Sequence, residues 1–258
     1  MDRSTLPVAV IGAGPVGLAA AVRLLDEGHA PIVFEAGARV GASILEWGHV
    51  RLFSPWKYNV DELSRALLES SGWQMPDGER FHTGREFVEG YLQPLAKLPQ
   101  IAPHIHLNTT VTAITREQRD KMKTAGRENA PFVVRYIDAD GNESEIRAKA
   151  IIDASGTCNH PNPLGAGGIK AIGEAAAATW ISYGIPDVAG ARRTEFAGKR
   201  VLVIGSGHSA FNVLLDLVQL KQEEPSTEIL WAVRSPAGQI SYGGGENDQL
   251  PARGQLGR

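Results

Sequence analysis

A short apolar strand that leads directly into a glycine-rich turn is the feature that most restricts how this chain can fold. Pro7 to Ile11 (PVAVI) is entirely apolar, as a buried parallel strand is. The turn Gly12 to Gly17 (GAGPVG) follows, and Leu18 to Glu27 has the apolar spacing of a helix. Pro31 to Phe34 (PIVF) is the next strand, and Glu35 stands at its end. This order of elements predicts a dinucleotide-binding unit.

Each glycine of this turn has its own physical role in such a unit. Gly12 permits the tight turn, Gly14 lets the backbone approach a pyrophosphate, and Gly17 lets the helix pack closely on the strand. The free N–H groups and the dipole of the helix start favour the phosphates. The Glu35 carboxylate can accept hydrogen bonds from the ribose hydroxyls. The alternative, a structural turn without a ligand, does not explain why strand, turn, helix and acid occur in register.

The same order of elements recurs near the end of the sequence. Lys199 to Ile204 (KRVLVI) is a strand, and Gly205-Ser206-Gly207-His208-Ser209-Ala210 is a G-x-G-x-x-A turn. Phe211 to Leu220 is an apolar helix, and Glu228 to Val233 (EILWAV) is the next strand. The chain therefore contains a duplicated module, which is distinct from a solenoid repeat.

The second module differs from the first at the residue that we expect to meet the ribose. Arg234 takes the strand-end place that Glu35 has in the first copy. A guanidinium binds a 2′-phosphate with two hydrogen bonds, which predicts NADPH over NADH at this site. Ser206 and Ser209 either cap the helix or contact phosphate, and the residue type favours capping. The alternative for Arg234 is an ordinary surface arginine.

The middle of the chain predicts a β-rich layer and then a connector. His104 to Ile114 alternates as a strand does, and Pro131 to Ile137 (PFVVRYI) pairs with Glu143 to Ala148 as a hairpin. Ala150 to Ala154 (AIIDA) is another buried strand, whereas Asn159 to Ala171 is rich in Pro and Gly. We therefore expect an α/β fold with a Rossmann-like domain at residues 1–160, a connector at 161–198 and a partial second Rossmann-like domain at 199–258.

The overall charge and the cysteine count exclude several classes of protein. Lys and Arg number 26 against 29 Asp and Glu, and the resulting net charge of −3 offers no basic footprint for nucleic acid or an anionic membrane. No apolar run reaches the length of a transmembrane helix. Cys158 is the only cysteine, which excludes a CxxC pair or a disulfide within this sequence and fits a reducing cytoplasm.

A few further residues admit two interpretations. Cys158 is either a redox group or, as the residue type favours, a small buried hydrophobe. His104 and His106 suggest a metal pair, but without a third ligand nearby they are better explained as ordinary strand histidines. Trp47, Trp56 and Tyr58 could each stack on a cofactor ring, although core packing is the more common role of such residues.

Five segments together resemble the two-dinucleotide-binding flavoproteins, near the flavin-containing monooxygenase and thioredoxin-reductase-like groups. They are VIGAGPVGLAAA, VFEAG, AIIDASGT, KRVLVIGSGHSA and WAVR. The resemblance implies FAD in the first module and NADPH in the second, with a flavin domain that carries an inserted β-hairpin layer. It also places Glu46 to Asp61 around the flavin ring. It implies FAD contacts at Gly12, Gly14, Pro15, Gly17, Glu35, Val111, Ala154 and Gly156, and NADPH contacts at Gly205, Ser206, Gly207, Ser209 and Arg234.

The resemblance implies an oxidoreductase in which NADPH passes hydride to FAD. The reduced FAD then reacts either with oxygen and a small organic substrate or with another acceptor. The FxGxxxH fingerprint of the monooxygenases is absent before Gly205, and so is the CxxC pair of disulfide reductases. Members of these groups continue beyond the point matching Arg258, so we expect a truncated form. We assign no catalytic side chain, because the cofactor supplies the chemistry. A non-catalytic dinucleotide-binding remnant and a methyltransferase are the alternatives.

Overall fold

A computed structural model of the chain describes residues 3–234, which divide into two compact units. The first unit comprises residues 3–46 with Trp56–Asn159, and the second comprises Trp47–Pro55 with residues 160–234. The strands are β1 (Val8–Ile11), β2 (Pro31–Phe34), β3 (Arg51–Pro55), β4 (Phe81–Thr83), β5 (Ile105–His106), β6 (Thr110–Arg116), β7 (Phe132–Ile137), β8 (Glu143–Ala148), β9 (Ala150–Asp153), β10 (Arg200–Ile204) and β11 (Glu228–Ala232).

Helices of different lengths connect several of these strands. The α-helices are α1 (Pro15–Asp26), α2 (Ala42–Leu45), α3 (Trp56–Asn59), α4 (Glu62–Ser70), α5 (Gly84–Phe87), α6 (Gln93–Ala96), α7 (Arg193–Phe196) and α8 (His208–Glu223). Single 3₁₀ turns occur at Arg3–Thr5, Ala102–His104, Ala166–Gly168 and Ala178–Trp180. A π-helical turn, Val88–Leu92, joins α5 to α6.

A four-stranded parallel sheet in the order β5-β2-β1-β9 forms the centre of the first unit. Ile11 at the end of β1 pairs with Phe34 of β2 on one side and with Asp153 of β9 on the other. The carboxyl ends of these strands therefore lie at one edge, which is where ligands bind in sheets of this type. Helix α1 buries one of its faces, which includes Leu18, Ala21 and Val22. The predicted α/β fold with a parallel sheet is confirmed.

An antiparallel layer of β6, β7 and β8 accompanies the parallel sheet. Val134 and Ala148 of this layer form one buried cluster with Ala9 and Phe34 of the parallel sheet. The predicted hairpin is therefore confirmed, and β6 extends it to three strands. The single strand predicted over His104 to Ile114 is wrong. Asn108 adopts a left-handed backbone with φ of 52°, which ends β5 and separates it from β6.

The chain is helical from Gly84 to Ala96, but a π-helical turn interrupts the α-helical hydrogen bonding of this segment. It begins with a capping box in which the Thr83 and Glu86 side chains each bind the other's backbone N–H. Within the π turn the Gly90 carbonyl accepts a hydrogen bond of 2.8 Å from the Trp73 indole. A Cβ added to Gly90 would lie 3.3 Å from the Trp56 ring, so glycine suits this close contact.

Trp56 and His82 form the centre of a buried aromatic cluster in the first unit. Their rings stack with centroids 4.0 Å apart, and Phe87 contacts both. His82 is 1% exposed, and burial lowers its pKa to about 4. Of the predicted alternatives for the aromatic residues, core packing therefore holds for Trp56, whereas Tyr58 is exposed.

The second unit is built on the parallel pair β10–β11 and on α8. Val203 packs with Val213, Leu217 and Leu220 of α8 in its core. The buried Glu174 carboxylate organises the connecting segment, because it accepts hydrogen bonds from the backbone N–H groups of Leu164 and Ala171 and from the Tyr183 hydroxyl. Within residues 3–234 the helices are too short or too polar to cross a bilayer.

Candidate dinucleotide sites

The first glycine of the first turn is required by the fold itself. Gly12 has φ of +95°, a conformation that strains other residues, and its N–H donates to the Phe34 carbonyl at 2.7 Å. A Cβ at Gly12 would lie only 2.6 Å from the carbonyl oxygen of Ala154, which directly follows β9. The Ala154 N–H in turn donates to the Ile11 carbonyl at 2.9 Å. The predicted residues Gly12 and Ala154 are therefore brought into direct contact.

The other two glycines differ sharply in what surrounds them. A Cβ at Gly17 would lie 1.9 Å from the Gly12 carbonyl oxygen, so the contact between helix and turn excludes any side chain there. Within residues 3–234 nothing lies within 4 Å of a Cβ built at Gly14, and the φ of −80° and ψ of −172° at Gly14 suit any residue. Gly14 is the N-cap of α1, and Pro15 opens its first turn. The described part of the chain therefore leaves the space beside Gly14 open, as a bound pyrophosphate requires.

The buried Glu35 carboxylate holds this turn in place. One of its oxygens accepts a hydrogen bond of 2.8 Å from the Ala13 N–H, and the other accepts one of 2.8 Å from the Gly37 N–H. The Gly41 N–H donates to the Ala13 carbonyl at 3.0 Å. Sequence reasoning missed Ala13, Gly37 and Gly41, although the pair of glycines that follows Glu35 was a usable signal. Each carboxylate oxygen keeps a second lone pair, so Glu35 can also accept from a ribose hydroxyl.

The remaining predicted FAD residues lie near the same edge of the sheet. The Glu35 carbonyl accepts a hydrogen bond of 2.8 Å from the N–H of Thr109, two residues before Val111 in β6. Val111 packs its side chain against the buried cluster that contains Phe34. Gly156 has φ of +71°, and a Cβ there would meet none of the residues that the structure describes within 4 Å. The roles of Val111 and Gly156 toward a cofactor stay predictions.

The second turn repeats the backbone of the first. Gly205 has φ of +117°, and its N–H donates to the Ala232 carbonyl at 3.0 Å. Gly207 is the N-cap of α8 with φ of −84° and ψ of 171°, close to the values of Gly14. The predicted capping by Ser206 or Ser209 is wrong, because glycine occupies the N-cap position and no side chain caps the helix. Both serines remain exposed beside the helix start.

Strand pairing corrects the position assigned to Arg234. In the first unit Ile11 pairs with Phe34, so Glu35 is the next residue after the pair. In the second unit Ile204 pairs with Ala232, which places Val233 at the position of Glu35 and Arg234 one residue further on. Pairing defines this equivalence, whereas the sequence suggested it only from where the apolar run ends. The second turn therefore has an uncharged residue at the position that Glu35 takes in the first unit, and an exposed arginine beside it.

The structure also decides between the interpretations of the lone cysteine and the paired histidines. Cys158 is exposed, so the expectation of a buried hydrophobe is wrong. His104 ends a 3₁₀ turn and its Nδ1 hydrogen-bonds the Pro31 carbonyl at 3.1 Å, whereas His106 lies in β5 beside Phe34. The interpretation as strand histidines therefore holds for His106 and is wrong for His104.

The fold and the two turns define a protein with two dinucleotide-binding modules of the same type. The sequence model of the pyridine nucleotide-disulphide oxidoreductases matches residues 9–224, so the chain belongs to this family. Flavin-containing monooxygenase FMO GS-OX-like 2 of Arabidopsis thaliana is 26% identical over 247 residues, covering 84% of this chain and 48% of that protein. Flavin-containing monooxygenase 1 of Rattus norvegicus is 29% identical over 221 residues, covering 84% and 38%.

Solved structures support the same fold. A bacillithiol disulfide reductase from Bacillus cereus superposes with a TM-score of 0.62 at 20% identity, covering 92% of this chain and 60% of that one. The FAD-bound cadaverine monooxygenase of desferrioxamine biosynthesis from Erwinia amylovora gives 0.61 at 17% identity, covering 90% and 52%. The chain spans about half or less of the length of the curated relatives it matches.

Proposed function

We propose that this chain binds FAD in its first module and NADPH in its second, as the dinucleotide-binding part of an FAD-dependent oxidoreductase of the monooxygenase type. We assign FAD to residues 1–160, the connector to 161–198 and NADPH to 199–258, of which residues 235–258 lie outside the described chain. The curated relatives are named as flavin-containing monooxygenases. A structurally similar protein, OTEMO, has been solved in complex with FAD and NADP.

The open space at Gly14 is the observation that supports FAD binding best. Gly12 and Gly17 are fixed by contacts within the protein, but Gly14 has no such constraint. A glycine that the fold does not require is explained by a ligand that approaches the backbone there. The N–H groups at the start of α1 and the fixed Glu35 carboxylate then suit the two chemical parts that meet the protein, a pyrophosphate and a ribose.

The second module supports NADPH by a parallel argument. Among the described residues Gly207 is as open as Gly14, so the start of α8 can receive a pyrophosphate. Val233 offers no carboxylate that would repel a 2′-phosphate, and the exposed Arg234 supplies a matching charge. The protein thereby positions the two cofactors, and bound FAD supplies the hydride acceptor and the oxygen chemistry.

The proposed monooxygenase reaction consumes NADPH, a proton, dioxygen and the substrate, and it yields NADP⁺, water and the oxygenated substrate. A small organic molecule is the proposed substrate. A dithiol relay within this sequence is not supported, because Cys158 is its only cysteine. The single cysteine also supports placement in a reducing compartment such as the cytoplasm.

The proposal is tested with the purified 258-residue chain and added FAD. We expect stoichiometric flavin retention after desalting, and loss of the oxidised flavin absorbance when NADPH is added without oxygen. Flavin retention without any reduction by NADPH would identify a dinucleotide-binding remnant instead. Absence of flavin retention would refute the assignment of the first module. Oxygen uptake that increases when sulfides or amines are added would then support monooxygenation.

A further inference from the structure

The two glycine-rich turns of this chain differ at their third position, and the difference has a structural consequence. In the first turn a Cβ at Gly17 would lie 1.9 Å from the Gly12 carbonyl oxygen. Ala210 occupies the matching place in the second turn and carries that Cβ. The carbonyl of Gly205 therefore cannot take the position that the Gly12 carbonyl has. In agreement, φ is +117° at Gly205 and +95° at Gly12.

The displaced Gly205 carbonyl has a partner in the neighbouring strand. The Trp231 indole Nε1–H of β11 donates to it at 2.7 Å. The indole ring also packs edge to face on Phe211 in the first turns of α8, with centroids 5.6 Å apart and planes at 75°. Trp231 therefore joins the strand, the glycine turn and the helix start.

The first unit has no donor at the equivalent position and holds its turn by other means. Val203 pairs with Trp231 in the second unit as Val10 pairs with Val33 in the first, so Val33 is the counterpart of Trp231, and its side chain carries no hydrogen-bond donor. The first turn is instead held by Glu35 and closed by Ala154 beside Gly12. Among the described residues, nothing lies within 4 Å of a Cβ built at Gly205, so this turn lacks such a neighbour.

We propose that Trp231 is a positioning residue of the nicotinamide dinucleotide site. Its indole N–H fixes the Gly205 carbonyl, and through it the orientation of the turn whose backbone from Gly207 onward receives the pyrophosphate. The tryptophan thus compensates for alanine at position 210. The inference rests on the proposed function, because it assigns a ligand to the second module.

Trp231→Phe removes the hydrogen bond and keeps an aromatic ring against Phe211. We expect the KM for NADPH in flavin reduction to rise about fivefold, which is the ratio that one hydrogen bond of about 1 kcal/mol supports. The kcat should stay unchanged, because the turn binds the pyrophosphate equally in the ground state and the transition state. Trp180→Phe is the matched control, because Trp180 is 90% exposed and lies outside the turn.

A double-mutant cycle tests the link to Ala210. In an Ala210→Gly background the helix can approach the turn as it does in the first unit, so Trp231→Phe should have a smaller effect on KM than in the natural chain. An equal effect in both backgrounds would refute the compensation. An unchanged KM in Trp231→Phe would refute the positioning role.

Hydrogen exchange at the indole nitrogens of the unmodified chain provides a second readout if the variant does not fold. We expect the Trp231 Nε1–H to exchange more slowly than the Trp180 Nε1–H before any nicotinamide is added. Equally fast exchange would overturn the proposal. If the unmodified chain does not reduce FAD with NADPH, the proposed function fails, and the exchange measurement still decides whether Trp231 holds the turn.

Discussion

Replacing two glycines of the first turn, one at a time, separates what the fold requires from what the ligand requires. Gly14→Val adds a side chain where the protein has open space, and the extended backbone of Gly14 suits a β-branched residue. Gly17→Ala adds a single carbon at 1.9 Å from the Gly12 carbonyl oxygen. The smaller change should therefore have the larger effect on stability.

The expected magnitudes follow from these contacts. Overpacking against backbone costs roughly 1–3 kcal/mol, and for a chain of this size that lowers the Tm of Gly17→Ala by roughly 2–12 °C. Gly14→Val replaces an N-cap residue that makes no side-chain hydrogen bond to the helix, so the free energy of unfolding should change by at most about 1 kcal/mol. Its FAD affinity should fall by roughly 10- to 150-fold for each charge-assisted hydrogen bond to phosphate that the valine displaces.

The assay compares Tm values of the flavin-free proteins, because a bound ligand itself raises Tm. Flavin retention after desalting is then measured for each variant with added FAD. Stoichiometric FAD in Gly14→Val would show that the open space is not the pyrophosphate site. An unchanged Tm in Gly17→Ala would show that helix and turn are further apart than the structure places them.

Two other predictions concern cofactor choice and acid stability. Arg234→Ser should reduce the preference for NADPH over NADH by roughly 10- to 150-fold, which is the contribution of one charge-assisted pair. Val233→Glu should in addition favour NADH, because the new carboxylate can accept hydrogen bonds from the free ribose hydroxyls of NADH. The ratio of kcat/KM for the two nicotinamides measures both effects. His82 has a folded pKa of about 4 against an ordinary 6.5, so the unfolded state binds a proton first and stability falls as pH decreases from about 6.5 toward 4. His82→Gln should flatten this part of a Tm profile against pH.

Controls for these variants come from the same chain. His160→Gln changes an exposed histidine outside the aromatic cluster and should leave the acid part of the Tm profile intact. If His82→Gln loses stability with acid as steeply as the natural chain does, another group causes the loss. If Arg234→Ser keeps the natural preference between nicotinamides, Arg234 is a surface arginine without a role in binding.

The regular elements of both modules could be predicted because their signals are local. Pro31 to Phe34 is the strand β2 with the predicted bounds, since the run begins at a proline and ends before the charged Glu35. The break at Asn108 could not be predicted in this way, because alternation continues across it and only its left-handed backbone separates β5 from β6. The π-helical turn is similarly hidden, because Val88 to Leu92 continues the apolar spacing of an ordinary helix.

The sites were predictable in residue type more than in position. The glycine motifs and Glu35 were found from spacing, but the ties from Glu35 to Ala13 and Gly37 depend on how a loop folds back over the turn. The place of Arg234 was one residue in error, because strand pairing and not the end of an apolar run defines equivalent positions. No pattern in the second module indicates that an indole on β11 would bind the turn.

The second module therefore differs from the first at both ends of the dinucleotide it is proposed to bind, and the two differences should act on different quantities. Trp231 acts on the turn, which meets the pyrophosphate that NADPH and NADH share. Trp231→Phe should accordingly raise the KM for both nicotinamides by the same factor and leave their ratio unchanged. Arg234 can distinguish them, because only NADPH carries the 2′-phosphate. If Trp231→Phe changes the ratio, the indole contacts the ribose end, and its proposed role at the turn is wrong.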